Sequence, residues 1–395
     1  MQALKLSLKN IVSHGLSASI GLFYSIAAAR FLTAKDFGEL RLVMTLLPIF
    51  MSFSFPGYDS IILRNLSLRI EVSLLRIFYS RMILGGLGTA LILCSVYVMG
   101  ERLSPVLRFF LFFIALLLPF FETATGYKNY LVGKRRKDTA LNLYILTRGS
   151  TLILMASIVY IIHRYNLPHI YIFPTYMISM TIPTLLTFLS ISLKKSSKKI
   201  KQGPCFLGAV SVTYAGLIYT LAFSIDKLLV WYTLGPTQLA EYSILVMAPQ
   251  ELSRFFDSVV LIYYHELFFS KKETNIWKHK RIGIFLMLLV AFYVLFFYKF
   301  HSSIFGKNYQ FAFYPVLLSG MMILSLSFEL FQNQRIFALY GSNSLFQYSL
   351  TSLCATIILV PSFLLGGLYG LMTGLIVKQF ITPSLFLLFL KTVRK

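Results

Sequence analysis

Apolar residues fill this chain in long runs, and short polar clusters separate one run from the next. A typical run holds roughly 20 residues, the length that an α-helix needs to cross a hydrocarbon core of about 30 Å. Backbone polar groups must find partners inside lipid, so such runs are helical. The pattern predicts about twelve transmembrane helices, over residues 10–32, 40–63, 82–100, 106–130, 141–162, 170–193, 205–233, 240–267, 282–300, 311–339, 344–361 and 365–390.

Basic residues concentrate in alternate polar clusters, such as 5–9, 133–138, 194–201 and 271–281. Placing the N-terminus in the cytoplasm puts all of these clusters on the cytoplasmic side, as the positive-inside rule requires. An even number of helices then leaves both termini in the cytoplasm. The net charge of +23 is therefore explained by loops beside an anionic leaflet, and nucleic acid is not an expected partner.

Composition excludes several classes of protein. With 57% hydrophobic and 13% charged residues, the chain is too apolar for an ordinary soluble domain. The first run, 11–32, is too long for a cleaved signal peptide and lacks a small-residue cleavage site. The three cysteines lie far apart, without a Cys/His cluster, so no metal site is expected. P-loop, G-x-S-x-G and HExxH motifs are missing from the sequence, which argues against an enzyme.

A helix–corner–helix pattern occurs twice, about half a chain apart. In the overlay of 23–44 on 225–246, Leu32 matches Leu234, Phe37 matches Leu239 and Glu39 matches Glu241. Such repetition is typical of transporters built from two related halves. The basic stretch that ends in Gly203-Pro204 has the composition of a linker. We therefore predict an N-terminal lobe over 1–193, a cytoplasmic linker over 194–204 and a C-terminal lobe over 205–395.

The stretch from Asn65 to Ser80 has its own periodicity. Arg69, Ser73 and Arg76 recur every three or four residues, with apolar residues on the opposite side. This spacing predicts an amphipathic helix on the cytoplasmic surface.

Charged residues inside the apolar runs are the candidates for function, because a charge near the bilayer centre is costly and faces a bundle interior or a wet cavity. The cations suit an anionic headgroup, and they are Arg30, Arg64, Lys227, Arg254 and Lys378. The acids are suited to carry H⁺ or Na⁺ or to neutralise the cations, and they are Asp59, Glu122, Asp226, Glu251, Asp257 and Glu329.

Two simpler interpretations stay open. Arg30, Arg64 and Lys227 lie near helix ends, from which long basic side chains reach the membrane interface. The acids can serve as structural partners, as Glu251 would for Arg254 one helical turn away.

Two motifs resemble a known family. The stretch AARFLTAKDFGEL at 28–40 resembles the opening motif of the polysaccharide biosynthesis exporters, which include the O-antigen flippases. The stretch IFGKNYQFAFYPVLLSG at 304–320 is similar to the F-G-x-x-Y-x-x-A entry to the tenth helix of that family. The group belongs to the multidrug/oligosaccharidyl-lipid/polysaccharide exporter superfamily. Thr33 replaces the usual glycine of the first motif.

The resemblance implies an all-α polytopic membrane protein with two six-helix lobes and a central cavity that opens alternately to either side. It implies a flippase for undecaprenyl-pyrophosphate-linked oligosaccharide in O-antigen, capsule or exopolysaccharide biosynthesis, in the bacterial cytoplasmic membrane. No cofactor is implied beyond coupling to H⁺ or Na⁺. The expected partners are the lipid-linked substrate, membrane lipids, and the polymerase and other polysaccharide assembly proteins. In this family the cavity cations, here the five named above, are expected to hold the substrate.

Two other functions remain alternatives. A multidrug antiporter of the same superfamily would use membrane acids with few cavity cations, whereas this chain has both. A membrane polysaccharide polymerase or acyltransferase would carry arginine- or histidine-rich catalytic loops outside. The external corners of this chain are short and poor in charge, which disfavours that class.

Overall fold

The computed structural model describes residues 2–67, 70, 72–98, 104–121, 123–192, 206–269, 280–340 and 342–393. Its α-helices are α1 (Gln2–Phe31), α2 (Ala34–Met51), α3 (Gly57–Ser67), α4 (Leu74–Val98), α5 (Pro105–Phe121), α6 (Tyr127–Gly133), α7 (Lys137–Arg164), α8 (Ile172–Ser192), α9 (Phe206–Leu234), α10 (Pro236–Phe269), α11 (Lys280–Phe305), α12 (Phe313–Tyr340), α13 (Ser342–Ala355) and α14 (Leu359–Val393). These ranges contain no β-strand, and the predicted all-α fold is confirmed.

Ten helical stretches in the described part of the chain are long and apolar enough to cross a membrane. One of them, Phe346–Leu388, has 43 residues, which is enough for two crossings at about 20 residues each. The helix α14 changes direction inside this stretch, where Gly366 and Gly367 leave helical geometry. Gly367 adopts a φ of 55°, in the left-handed region that glycine enters without a steric penalty. The multi-pass membrane character is confirmed, and the number of twelve crossings stays a prediction.

The chain forms two compact units. Unit 1 comprises Met1–Leu32 and Val43–Leu217, and unit 2 comprises Thr33–Leu42 and Ile218–Lys395. The predicted linker 194–204 lies outside the described residues.

In unit 1, α1 packs on α7, α7 packs on α8, and α4 and α8 both pack on α5. A buried apolar cluster fixes α3, α4, α6 and α8 to each other, and it includes Ile62, Phe78, Tyr127 and Phe188. The rings of Phe78 and Phe188 stack with their centroids 4.7 Å apart.

In unit 2, α12 is the central helix and contacts α10, α11, α13 and α14. Small side chains allow this packing: Ser319 and Ser325 of α12 are fully buried. The Ser319 hydroxyl donates to the Leu245 carbonyl at 2.5 Å, which ties α12 to α10.

The repeated corner and both motifs of the family resemblance meet within unit 2. The buried ring of Phe37 lies edge-on to the buried ring of Tyr309, with centroids 6.1 Å apart. Beside them the backbone of Gly38 approaches Pro236 so closely that a Cβ on Gly38 would lie 1.8 Å from the Pro236 carbonyl oxygen. Only glycine therefore fits at position 38. In the neighbouring ring contact, burial and, secondarily, the charge of Glu241 raise the pKa of Tyr309, so its hydroxyl stays protonated.

The predicted surface helix over 65–80 is wrong as a single element. Helix α3 ends at Ser67, Ile70 is not helical, and α4 begins at Leu74. Leu74 and Phe78 are buried in the core of unit 1. The periodic spacing therefore belongs to the first turns of a long membrane helix, whose apolar side faces the protein.

Candidate functional site

Four buried charged residues on three helices of unit 2 form a group that we name the unit 2 charge cluster: Asp226 and Lys227 on α9, Glu329 on α12 and Lys378 on α14. Each is at most 5% exposed to solvent. The cluster contains two acids and two cations, so its formal charges balance. Helices that bury such groups must supply partners for them, because an unpaired charge in a low-dielectric interior is costly.

Lys378 is the centre of the unit 2 charge cluster. Its Nζ donates to the Ala222 carbonyl at 2.7 Å, which links α14 to α9. The ammonium also interacts electrostatically with Glu329 and, more weakly, with Asp226. Lys378 thus joins three helices of unit 2 through one charge.

Asp226 has two direct partners. Its Oδ2 accepts a 2.6 Å hydrogen bond from the Tyr242 hydroxyl and lies 3.7 Å from the Nζ of Lys227. Its Oδ1 is buried and has no hydrogen-bond partner. The nearby Tyr348 hydroxyl, which interacts electrostatically with Glu329, is also buried without a hydrogen-bond partner. Asp226 of the cluster and the neighbouring Tyr348 therefore each have a buried oxygen without a hydrogen-bond partner. A bound proton or small cation could interact with these oxygens.

Unit 1 contains a different group of charges. Lys128 on α6 and Arg148 on α7, which we name the unit 1 cation pair, both lie over the ring of Tyr144. The Lys128 Nζ is 4.2 Å and the Arg148 Cζ 5.0 Å from the ring centroid. The electron-rich face of an aromatic ring attracts cations at such distances.

The partners of Arg148 are weak for a guanidinium group. Its Nη1 donates to the sulfur of Met180 at 2.9 Å, and a thioether is a poor acceptor. Arg148 also hydrogen-bonds to Tyr144, whose hydroxyl lies 3.0 Å from the Ser17 hydroxyl. The Arg148 Nε is buried without a hydrogen-bond partner. This geometry leaves a membrane-embedded guanidinium with an unused donor.

A second buried arginine of unit 1 differs from Arg148 in having a carboxylate partner, although its Nη2 is also buried without a hydrogen-bond partner. Arg81 on α4 is completely buried, and its Nε donates to the Ser54 carbonyl at 3.0 Å. Its Nη1 donates to Asp59 Oδ1 at 2.9 Å, and Asp59 also accepts a hydrogen bond from Thr125. This arrangement fixes α4 to α3, so Asp59 has a structural partner.

The structure describes only some of the predicted site residues. Asp226, Lys227, Glu329 and Lys378 lie together in unit 2, and Asp59 is paired with Arg81. Arg30 is exposed at the end of α1, and Glu251 is half-buried in α10. Four predicted side chains lie outside the described residues: Arg64, Glu122, Arg254 and Asp257.

Sequence reasoning missed Arg81, Lys128 and Arg148. Arg148 lies inside the predicted helix 141–162, so the rule that identified Arg254 also identifies it. Lys128 lies near the end of the predicted helix 106–130. Arg81 precedes the predicted start of a helix at residue 82 by one residue. On sequence alone it is therefore assigned to the basic cytoplasmic cluster before that helix.

Comparison with known proteins gives the family. A family model described as polysaccharide biosynthesis protein matches residues 4–263. The chain belongs to this family. Its resemblance to the polysaccharide exporters is therefore confirmed, and the match extends from the first helix of unit 1 well into unit 2. A sequence comparison with curated proteins finds no match.

Solved transporter structures share the fold of this family member. A transporter of the multidrug/oligosaccharidyl-lipid/polysaccharide superfamily from Pyrococcus furiosus, described with a binding pocket of reverse polarity, aligns with a TM-score of 0.68 at 14% identity, over 98% of this chain and 94% of that one. An outward-facing multidrug resistance transporter of the same superfamily aligns with a TM-score of 0.65 at 14% identity, over 98% and 94%. A Vibrio cholerae multidrug transporter aligns with a TM-score of 0.60 at 12% identity, over 100% and 96%. These likenesses show the transporter fold.

Proposed function

We propose that this protein is a flippase that moves lipid-linked oligosaccharide, built on undecaprenyl pyrophosphate, across the bacterial cytoplasmic membrane for cell-surface polysaccharide biosynthesis. The observation that carries the proposal is the match to the polysaccharide biosynthesis family over 4–263. The structural neighbours alone would fit a drug transporter equally well, because they show the fold and not the cargo.

The charges inside the described helices support an anionic cargo. A diphosphate needs cations in a cavity of low dielectric, where charge-assisted hydrogen bonds are strong. Both units provide such cations: Arg148 and Lys128 in unit 1, and Lys227 and Lys378 in unit 2. From the sequence, Arg30, Arg64 and Arg254 are further proposed contacts to the headgroup.

The proposed mechanism is alternating access by two six-helix lobes, 1–193 and 205–395, with twelve helices, a central cavity and cytoplasmic termini. We propose no enzymatic step, because binding and movement suffice for flipping. Coupling to H⁺ or Na⁺ would use the buried acids of the unit 2 charge cluster, Asp226 and Glu329. Polymerase and other assembly proteins are the proposed partners on the outer side.

A multidrug antiporter is the second candidate, and its support is the likeness to multidrug resistance transporters. Such a protein would use membrane acids with few cavity cations. The unit 1 cation pair therefore favours the lipid diphosphate.

The test is made in cells that lack the gene. We expect complete lipid-linked repeat units to accumulate on the cytoplasmic face, with loss of surface polysaccharide. Single repeats that reach the outer face unpolymerised would instead indicate a polymerase. Unchanged saccharide pools together with increased drug sensitivity would establish the antiporter.

A further inference from the structure

We propose that Arg148 and Lys128 form the site that holds the phosphate-class anion of the cargo, the lipid diphosphate, in unit 1. The inference rests on the proposed function and deepens it, because it assigns the headgroup to one unit and to two residues that the sequence analysis did not select.

In the described part of unit 1, some cations have a carboxylate partner and others do not. Among the described residues of unit 1, Lys9 forms an ion pair with Asp138, and Arg81 forms one with Asp59. In the same part of the chain, neither Lys128 nor Arg148 forms an ion pair with a carboxylate. Cations inside a membrane bundle that have no carboxylate partner among the described residues are candidates for an ion or substrate pathway, because such charges are costly.

The hydrogen bonds of Arg148 leave one of its donors unused. A guanidinium has five N–H donors in a planar fork, which suits two phosphate oxygens at once. Here that fork donates to the Met180 sulfur and hydrogen-bonds to Tyr144, and Nε stays buried without a partner. A buried donor without an acceptor destabilises the empty state, so an incoming phosphate oxygen would gain the bond that the protein does not supply.

Lys128 and Arg148 share the ring of Tyr144. Lys128 and Arg148 both lie within 5.0 Å of the same centroid, and the proposal requires one diphosphate to contact both cations. Beside them the Tyr144 hydroxyl lies 3.0 Å from the Ser17 hydroxyl, which donates to the Ser13 carbonyl.

The buried lysines of unit 2 differ from the unit 1 cation pair in having acidic partners. There Lys227 lies 3.7 Å from Asp226, and Lys378 donates to a carbonyl and interacts with Glu329. Those cations already have acidic partners, so a substrate anion would have to displace a carboxylate. Unit 1 requires no such exchange and is the better anion site.

The experiment measures binding of radiolabelled undecaprenyl pyrophosphate to the purified full-length protein in neutral phosphatidylcholine nanodiscs. We expect Arg148→Gln and Lys128→Gln each to weaken binding by about tenfold or more, as the loss of a hydrogen bond to a charged group does. Arg164→Gln is the matched control, because Arg164 is exposed at the end of the same helix. It should bind within about twofold of the wild type.

Arg148→Lys separates a binding role from a structural one. Lysine keeps the charge but loses the planar fork, so this variant should fold and lose most of its preference for undecaprenyl pyrophosphate over undecaprenyl phosphate. An unchanged preference would overturn the assignment. Glu122→Gln is tested beside it to detect a structural pairing with Arg148. The Glu122 side chain lies outside the described residues. If Glu122→Gln and Arg148→Gln destabilise the protein equally and neither changes binding, Arg148 has a structural role and the site is wrong.

Competition identifies the source of the anion. Inorganic pyrophosphate should displace the probe, whereas an equal amount of phosphatidylglycerol should not. Displacement by phosphatidylglycerol would mean a general lipid-headgroup site and would overturn the assignment. If both glutamine variants bind like the wild type while cells lacking the gene still accumulate lipid-linked saccharide, the site is wrong and the proposed function stands. If the wild type binds no probe and those cells export normally, both proposals fail.

Discussion

Gly38→Ala tests how closely the two repeated corners pack in unit 2. The new Cβ would lie 1.8 Å from the Pro236 carbonyl oxygen, whereas ordinary contacts begin at 3.4 Å. The obstacle is a backbone atom at the start of α10, so no side chain can rotate away. Relief requires α2 and α10 to separate, which also loosens the ring contact of Phe37 with Tyr309. Overpacking of this kind costs about 3 kcal/mol in the free energy of unfolding.

The assay is thermal and denaturant unfolding of purified protein in mixed micelles. Gly21→Ala is the matched control, because Gly21 lies in α1 and a Cβ there meets nothing within 4 Å. That variant should keep or slightly raise stability, by up to about 1 kcal/mol from helix propensity. The reasoning is refuted if Gly38→Ala unfolds at the same temperature as Gly21→Ala.

Three further predictions concern buried charges. Asp59→Asn leaves the buried guanidinium of Arg81 without its carboxylate and should lower the free energy of unfolding by about 3 kcal/mol, part of which Asp59→Asn/Arg81→Met recovers. Tyr242→Phe removes the donor to Asp226 and should cost about 1–3 kcal/mol by denaturant unfolding. Lys378→Met leaves the acids of the unit 2 charge cluster without their central cation, and should cost about 3 kcal/mol and reduce transport, with diphosphate binding weakened less than in Arg148→Gln.

Each of these has a clear contrary outcome. A double-mutant cycle between Asp59 and Arg81 with no coupling energy would show that their contact contributes nothing. Wild-type unfolding of Tyr242→Phe would remove the hydrogen bond from the account of unit 2. Loss of diphosphate binding in Lys378→Met, as large as in Arg148→Gln, would place the anion in unit 2.

The helices could be predicted because lipid leaves the backbone few alternatives. Any apolar run of sufficient length must satisfy its own hydrogen bonds, and the long apolar stretches among the described residues are indeed helical. The same physics selected Asp226, Glu329 and Lys378, since charges inside apolar runs are rare, and the structure buries all three. Which helices bring them together is not encoded locally: Lys378 donates to the carbonyl of Ala222, 156 residues away.

The misses have a physical cause as well. Arg81 resembles a cytoplasmic charge, because the polar residues before it are close to a helix end. Its burial depends on Asp59 and the Ser54 carbonyl, which come from other segments of the chain. Likewise, the importance of Arg148 lies in the partners it lacks, and a sequence shows only the residue itself.

The most direct test of the account is transport by the purified protein in liposomes that contain undecaprenyl-pyrophosphate-linked oligosaccharide. A membrane-impermeant glycosidase outside the liposomes cleaves only the saccharide of the outer leaflet. The account predicts that the wild type exposes the inner-leaflet pool as well, whereas Arg148→Gln protein reconstituted to the same level leaves it protected. Protection of the inner pool by the wild type, with export of an organic cation by the same liposomes, would contradict the flippase proposal.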